Sequence, residues 1–384
     1  MFFFFNDQNN ELKENSKSDE DVSVLVGING SGKSTYLNEI AKFHINNGKT
    51  VIAVANTIYD KFTIKGPKAK LLRSSKGKNI AKNSIKEVIK SLENKDTKAF
   101  FRLSNVFKYI NFKAKIEFKI NNLNPEFREI IIHSNVFNNE EREDLLYFLN
   151  RSHEHSLIEN ESKFFIDFEN YQDLGNYKDV FFLRILNYEG KLKKLKILKD
   201  IDITLFKEGT SFPLNQASSG ELTLIASLMY ISVFINDNSV ILIDEPENSL
   251  HPKWQVEYLK NIIELFYFYQ PKIVVATHSP LVINGGELNI QNLNIFKGFS
   301  YGNFEKQKKE LKNVEEMFEN YFDVTTPQNR FVSQFLIEKF NLLTTNKLSY
   351  NGFKKIVNEL KENSYDNQQK SALEGILELA TQYS

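Results

Sequence analysis

Val22-Ser-Val-Leu-Val26 runs straight into Gly27-Ile-Asn-Gly-Ser-Gly-Lys-Ser34, and this junction decides the fold. A compact apolar run reads as a buried strand. The glycines after it let backbone N–H groups crowd around an anion at the start of the next helix, expected from Ser34 to Asn46. A Gly-rich loop between strand and helix, closed by Lys-Ser, is a nucleotide phosphate loop. In such a loop Asn29, Gly30, Ser31, Gly32 and Thr35 line the phosphates. Lys33 reaches the β- and γ-phosphates, and the hydroxyl of Ser34 is a ligand for Mg2+. ATP and Mg2+ are therefore the expected cofactors.

Working outward, Gly48-Lys-Thr leads into Val51-Ile-Ala-Val-Ala55, a second buried strand. Three further motifs follow in order. Ser218-Ser-Gly-Glu221 opens a helix over Leu222 to Ile235. Ser with Glu three residues later fits a capping box, while the helix N-terminus favours an anion, so Ser218, Ser219 and Gly220 are candidate γ-phosphate contacts. Val240-Ile-Leu-Ile-Asp244-Glu245 is an apolar strand ending in two acids. A parallel sheet presents such tips at its C-terminal edge, where ligands bind. Asp244 is the expected Mg2+ partner through water, and Glu245 is placed to polarise an attacking water. Val274-Val-Ala-Thr-His278 repeats the pattern, with His278 assigned to sensing the γ-phosphate and orienting Glu245. Helix from Pro252 to Tyr269, strand from Lys272 to Ala276 and a short strand at Asn294 to Phe296 complete the alternation.

The 384 residues suffice for one large domain with insertions or for two domains. Formal net charge is zero, so there is no global pull toward nucleic acid or acidic lipid. The absence of cysteine excludes a disulfide scaffold, Cys-ligated zinc and a thiol nucleophile. Phe2 to Phe5 read as a short strand or packed terminus, because the run breaks at Asn6 without the basic region or length of a signal peptide. Asn6 to Asp21 reads as a polar loop. No stretch is long and apolar enough to span a bilayer, so a cytoplasmic protein without membrane contact is expected.

Between Tyr59 and about Gly209 the pattern changes. The stretch Lys61 to Lys86 carries Lys65, Lys68, Lys70, Arg73, Lys76, Lys78 and Lys82 between its ends, and no acid. It is either a solvated face or a surface for nucleic acid, through phosphate contacts, or for an acidic partner. Lys113 to Ile120, Lys163 to Phe168, Val180 to Asn187 and Lys191 to Leu198 read as strands, and Glu140 to Phe148 as a helix. His153 and His155, on an expected loop, lack an evident third ligand for a metal. No heptad repeat points to a coiled-coil arm. The expected organisation is a nucleotide-binding core over 1–58 and 210–297, an inserted α+β lobe over 59–209 and a helical, partner-docking tail over 298–384.

Taken together, these motifs resemble ABC-type ATPases of the SMC/RecF/OLD-like branch. The likeness rests on Gly27 to Ser34, Ser218 to Glu221, Asp244-Glu-Pro-Glu-Asn-Ser-Leu-His-Pro252 and Thr277-His-Ser-Pro280. It implies an α/β P-loop ATPase head and a homodimer, or higher oligomer, in which each ATP is sandwiched between one copy's phosphate loop and the other's Ser218 and Gly220. Departures are Ala217, Ser219 and Glu221 in the signature, and the lack of any glutamine between Tyr36 and Tyr171. The branch's Q-loop glutamine is thus missing from its usual place, and Asn56 is the candidate substitute. The tail segment Val314 to Phe322, followed by Thr326 to Ser333, resembles ATPase subunits of Septu-type and retron-associated antiphage systems. That likeness implies a separate effector, often a nuclease. A RecF-like DNA repair ATPase is the alternative. A transporter subunit is disfavoured by the missing glutamine and by His251-Pro252, and a nuclease in the tail by the absence of histidine after Pro280 and of any paired-acid metal motif there.

Overall fold

Strand β1 (Asp21–Val26) is buried along its whole length and enters helix α1 (Lys33–Asn46) through the loop of residues 27–32. The structure is a computed structural model that describes residues 12, 21–57, 59–73, 78–92, 97–159, 163–170, 177–299, 303–308, 313–324, 330–364 and 367–383. The expectations for Phe2 to Phe5, for residues 6–20 apart from Leu12, and for Thr326 to Asn329 lie outside the described residues. After α1 come β2 (Thr50–Ala55), β3 (Ala69–Arg73), α2 (Lys78–Ser91) and α3 (Thr97–Tyr109). Next are β4 (Lys115–Asn121), α4 (Phe127–His133), α5 (Asn139–Glu159), β5 (Lys163–Asp167), α6 (Tyr177–Lys194), β6 (Asp200–Lys207) and β7 (Thr210–Pro213). The chain continues through α7 (Ser219–Phe234), β8 (Ser239–Asp244), α8 (Pro252–Phe266), β9 (Lys272–Ala276), α9 (Pro280–Asn289), β10 (Leu293–Gly298) and β11 (Phe304–Gln307). Four helices follow: α10 (Val314–Phe322), α11 (Arg330–Thr344), α12 (Tyr350–Asn363) and α13 (Asn367–Ala380).

Seven strands form one sheet in the order β11-β10-β1-β9-β8-β2-β3. All pairings are parallel except that of β10 with β11. Such a sheet is covered on both faces, so its strands need apolar residues throughout. The residues divide by parity. Val22, Val24, Ile241, Ile243, Ile273 and Val275 join one core, while Leu25, Val240, Leu242, Val274 and Ala276 join a second with Leu37, Ile40 and Ala41 of α1. Register sets Leu25 and Asp244 each opposite Ala276, and Ala55 opposite Asp244. The polar residues after these positions therefore emerge side by side at one edge. The fold is mixed α/β around a parallel-rich sheet. β3 comes from the stretch 59–209 and β11 from the stretch after 298, and both join it.

A second, antiparallel sheet has the order β5-β4-β6-β7. Ile116, Phe118 and Ile120 on β4, with Ile201, Ile203 and Leu205 on β6, face the first of those cores while intervening residues are more exposed. The strands expected at Lys113 to Ile120 and Lys163 to Phe168 correspond to β4 and β5. Those expected at Val180 to Asn187 and Lys191 to Leu198 are corrected: the first lies within α6, and the second is its last turn and the bend after it. Buried Ile185, Leu186, Glu189 and Leu192 follow helical spacing, and Lys196 turns the chain at φ 55°. The helix expected from Glu140 extends to Glu159, so His153 and His155 lie on a helix rather than a loop.

The C-terminal helices divide in two. Met317, Tyr321 and Phe322 of α10 belong to the main core. α11 to α13 pack around a core of their own, built on Val332, Leu336, Leu343, Phe353, Val357 and Leu360. Lys297 of β10 holds the end of α10, donating to Asn320 O at 2.7 Å and pairing with Asp323 at 2.8 Å. No helix of the described residues is long and apolar enough to cross a membrane.

Candidate nucleotide site

The loop after β1 is built by close approach. Gly27 has φ 137°, and a Cβ there would stand 2.6 Å from Gly298 O; a side chain at this position would force loop and β10 apart. Lys33 opens α1, and its ammonium donates to Gly27 O at 2.9 Å and Ile28 O at 3.2 Å. Burial pushes the lysine down to about 8, against the opposing pull of Glu245, Asp244 and Glu247. Ser31 is buried, whereas Asn29, Gly30 and Thr35 are exposed.

Ser34 Oγ donates to Asp244 Oδ1 at 3.1 Å, joining the first motif to the third across 210 residues of chain. Asp244 is fully buried, and its Oδ2 has no hydrogen-bond partner among the described residues. Burial pushes the carboxyl up to about 7, although the Ser34 hydrogen bond works against it. A hydroxyl and a carboxylate oxygen left wanting a cation suit a hard divalent ion such as Mg2+. Ser34 and Asp244 are thus the residues that fit the metal. Glu245 turns the chain at φ 52°; its N–H donates to Ala276 O at 2.9 Å, and its Oε2 accepts from Asn248 Nδ2 at 2.8 Å.

Asn56 lies at the tip of β2 and is buried. Its N–H donates to Asp244 O at 3.0 Å, and its carbonyl accepts from Asn248 Nδ2 at 3.1 Å. His278 is half-buried at the tip of β9. Burial and, less strongly, the Lys33 cation depress its pKa, while Glu245 opposes them. The imidazole lies 6.4 Å from the Phe322 ring, centroid to centroid. A cavity of about 710 Å³ runs along these tips, lined by Asn29, Glu245, Asn248, His278, Val314 and Phe318 among others.

The second motif stands apart. Ser218 and Ser219 are exposed and do not line that cavity. The expected capping box is present: Ser218 Oγ accepts from Glu221 N at 3.2 Å, and Glu221 Oε2 accepts from Ser218 N at 3.1 Å. Glu221 also pairs with Lys207. Gly220 is packed where a Cβ would stand 2.2 Å from Ser249 O. This binds the helix start to the turn after Glu245 and leaves no room for alanine.

Much of the basic run is engaged within the chain. Arg73 pairs with Asp60 at 2.7 Å, Lys68 donates to Gly48 O at 2.7 Å, and Lys70 sits over the Phe234 ring. Lys82 pairs with Asp200 and Asp202, and Lys86 with Glu189. Among the described residues no cluster of three His, Cys, Asp or Glu side chains forms a metal site. Sequence reasoning missed Glu247, Asn248 and the α10 residues Val314 and Phe318. Glu247 stands inside the motif of residues 244–252, and its partners are about thirty residues away in sequence.

Comparison with known proteins agrees with this geometry. The chain is 31% identical over 112 residues to the retron Vc95 probable ATPase of Vibrio cholerae serotype O1 biovar El Tor, covering 26% of this chain and 21% of that protein. It is 28% identical over 171 residues to the retron Ec83 probable ATPase of Escherichia coli, covering 41% of this chain and 30% of that protein. The matches thus span less than a third of either relative. An uncharacterised protein of Methanocaldococcus jannaschii is 33% identical over 113 residues, 29% of this chain and 12% of its own. The chain thus resembles, over part of its length, two proteins named as probable ATPases of retrons. The model of one family matches residues 22–284, and the chain belongs to it: the AAA domain family described as putative AbiEii toxin, type IV TA system.

Proposed function

We propose that the protein binds Mg·ATP on the loop of residues 27–34 and hydrolyses it as an ABC-type pair of heads, using the cycle to control a separate effector in antiphage defence. The observation that carries this reading is the meeting of Lys33, Ser34, Asp244, Glu245 and His278 at one end of the parallel sheet. Lys33 exchanges its contacts with Gly27 O and Ile28 O for phosphate oxygens. Ser34 and Asp244 would hold Mg2+, which when bound would supply neutralising charge to the phosphates. Glu245 accepts a proton from the water that attacks the γ-phosphorus; the new O–P bond forms as the bond to the ADP oxygen breaks. His278 holds a transferring oxygen at the same cavity wall.

The exposed Ser218 and Ser219, outside their own chain's cavity, favour a site completed by a second copy. Gripping one γ-phosphate from both sides makes ATP a clamp, and hydrolysis releases it. The retron names of the relatives favour a defence role with a partner, for which a nuclease is the proposed class. The proposed division of labour is a core over 1–58 and 210–297, a lobe over 59–209 and a docking tail over 298–384.

Replacing Glu245 by Gln tests the core of this reading. The variant should bind ATP, turn over about 10²-fold or more slowly and double its mass by light scattering when ATP and Mg2+ are added. An unchanged mass would rule out the sandwich. Co-purification from the native host, with the partner's nuclease activity assayed, tests the effector.

A further inference from the structure

Both oxygens of one carboxylate that the mechanism does not use are spent on the strand tip that carries His278. Glu247 lies on the turn after β8. Its Oε1 accepts from the backbone N–H of His278, and its Oε2 accepts from Thr277 Oγ1 at 2.8 Å. Thr277 is fully buried and fixed further, accepting from Ser279 N at 2.9 Å and donating its own N–H to Leu25 O at 3.1 Å. Among the described residues Glu247 forms no ion pair with Lys or Arg, so pairing with a cation does not account for its place. Burial raises its pKa, a cost that a surface turn would not carry.

The same turn holds Glu245 through Asn248, and Glu247 reaches across to the neighbouring tip. We propose that Glu247 is a positioning residue for ATP hydrolysis: it clips the β9 tip to the β8 turn, so that His278 and Glu245 stand at a fixed separation on one cavity wall. Phe322 flanks the imidazole from α10, which leaves the backbone clip to set where the ring begins. The inference rests on the reading of this cavity as the nucleotide site.

The test is a variant series assayed for kcat, KM and binding of a fluorescent ATP analogue. Misplacement of a catalytic group by an ångström costs on the order of 10²-fold, so Glu247→Ala should lower kcat by about that factor. KM and analogue affinity should stay within about threefold, because Glu247 makes no hydrogen bond or ion pair to Lys33 and acts on it less than Glu245 and Asp244 do. Glu247→Gln should recover most of kcat, since its amide can accept from His278 N–H and donate to Thr277 Oγ1. In a His278→Ala background, Glu247→Ala should have no further effect, the non-additivity expected of residues acting as a unit.

A Gln variant as slow as the Ala variant would mean that the charge matters and the clip does not. Additive losses with His278→Ala would overturn the proposal equally. If Glu247→Ala does not melt cooperatively, Glu247→Asp carries the test: it keeps the charge but loses the reach, and kcat should still fall. A wild-type chain that neither binds nor turns over ATP overturns the nucleotide reading and the clip with it. An active wild type matched by an equally active Glu247→Ala overturns the clip alone.

Discussion

The two sheets of this protein share one apolar core but differ in what they deliver. β1, β8 and β9 run parallel and are buried end to end, so polar chemistry can appear only where they stop. Three adjacent C-terminal tips then gather Lys33, Asp244, Glu245 and His278 at one edge. In the antiparallel sheet β4 and β6 alternate between buried and mostly half-buried positions, and neighbouring strand ends point in opposite directions. Polar groups there are spread over a face, where they pair with neighbouring elements, as Asp200 and Asp202 of β6 do with Lys82 of α2. Strand direction thus separates a site from a scaffold.

Breaking each sheet at its own kind of residue should separate activity from stability. Lys33→Ala removes the cation from the loop and should lower kcat/KM for ATP about 10²–10³-fold, with a cooperative melt retained. Phe118→Ala, in the core beneath β4, should cost about 3–5 kcal/mol of stability while leaving kcat per folded molecule unchanged. Calorimetry beside a steady-state assay decides both. If Phe118→Ala impaired turnover as strongly as Lys33→Ala, the antiparallel sheet would be part of the site.

A subtler contrast lies in pH. Burial lifts Asp244 to about 7, so between its unfolded value of about 4 and that pH the folded chain binds more protons than the unfolded one. Stability from this group is therefore present at low pH and is lost as pH rises through that window. Mg2+ competes with the proton, so the increase in Tm on adding Mg2+ should be larger at pH 8 than at pH 5. The difference should vanish in Asp244→Asn. The smallest effect belongs to the edge of the other sheet, where Lys82 of α2 meets Asp200 and Asp202: Lys82→Met should change stability by no more than about 1 kcal/mol and leave ATP affinity alone.

The buried strands were legible because a strand covered on both faces reads as an unbroken apolar run, and their tips carried the chemistry in plain order. α6 was not. Val180 to Asn187 is rich in β-branched and aromatic residues, which favour strands locally, and helical packing overrode that preference. β3 was hidden by its setting, since Ala69 to Arg73 reads as part of a lysine-rich run until it is paired with β2. Glu247 and Asn248 stayed silent for another reason: their roles are set by partners that only the sheet brings near. The basic run promised more surface than it keeps, because Asp60, Asp200, Asp202 and Glu189 answer it from elsewhere in the chain.

The last turn of helix α10 is held from two directions. Phe322 lies beside His278, while Lys297 grips the helix end one residue before Gly298, whose carbonyl abuts the loop after β1 at Gly27. Beyond α10 begins the separately cored bundle of α11 to α13. In mechanical terms that last turn is a single joint, with Asn320, Phe322 and Asp323 inside four consecutive residues, so the end of β10 and the histidine tip are registered against one point.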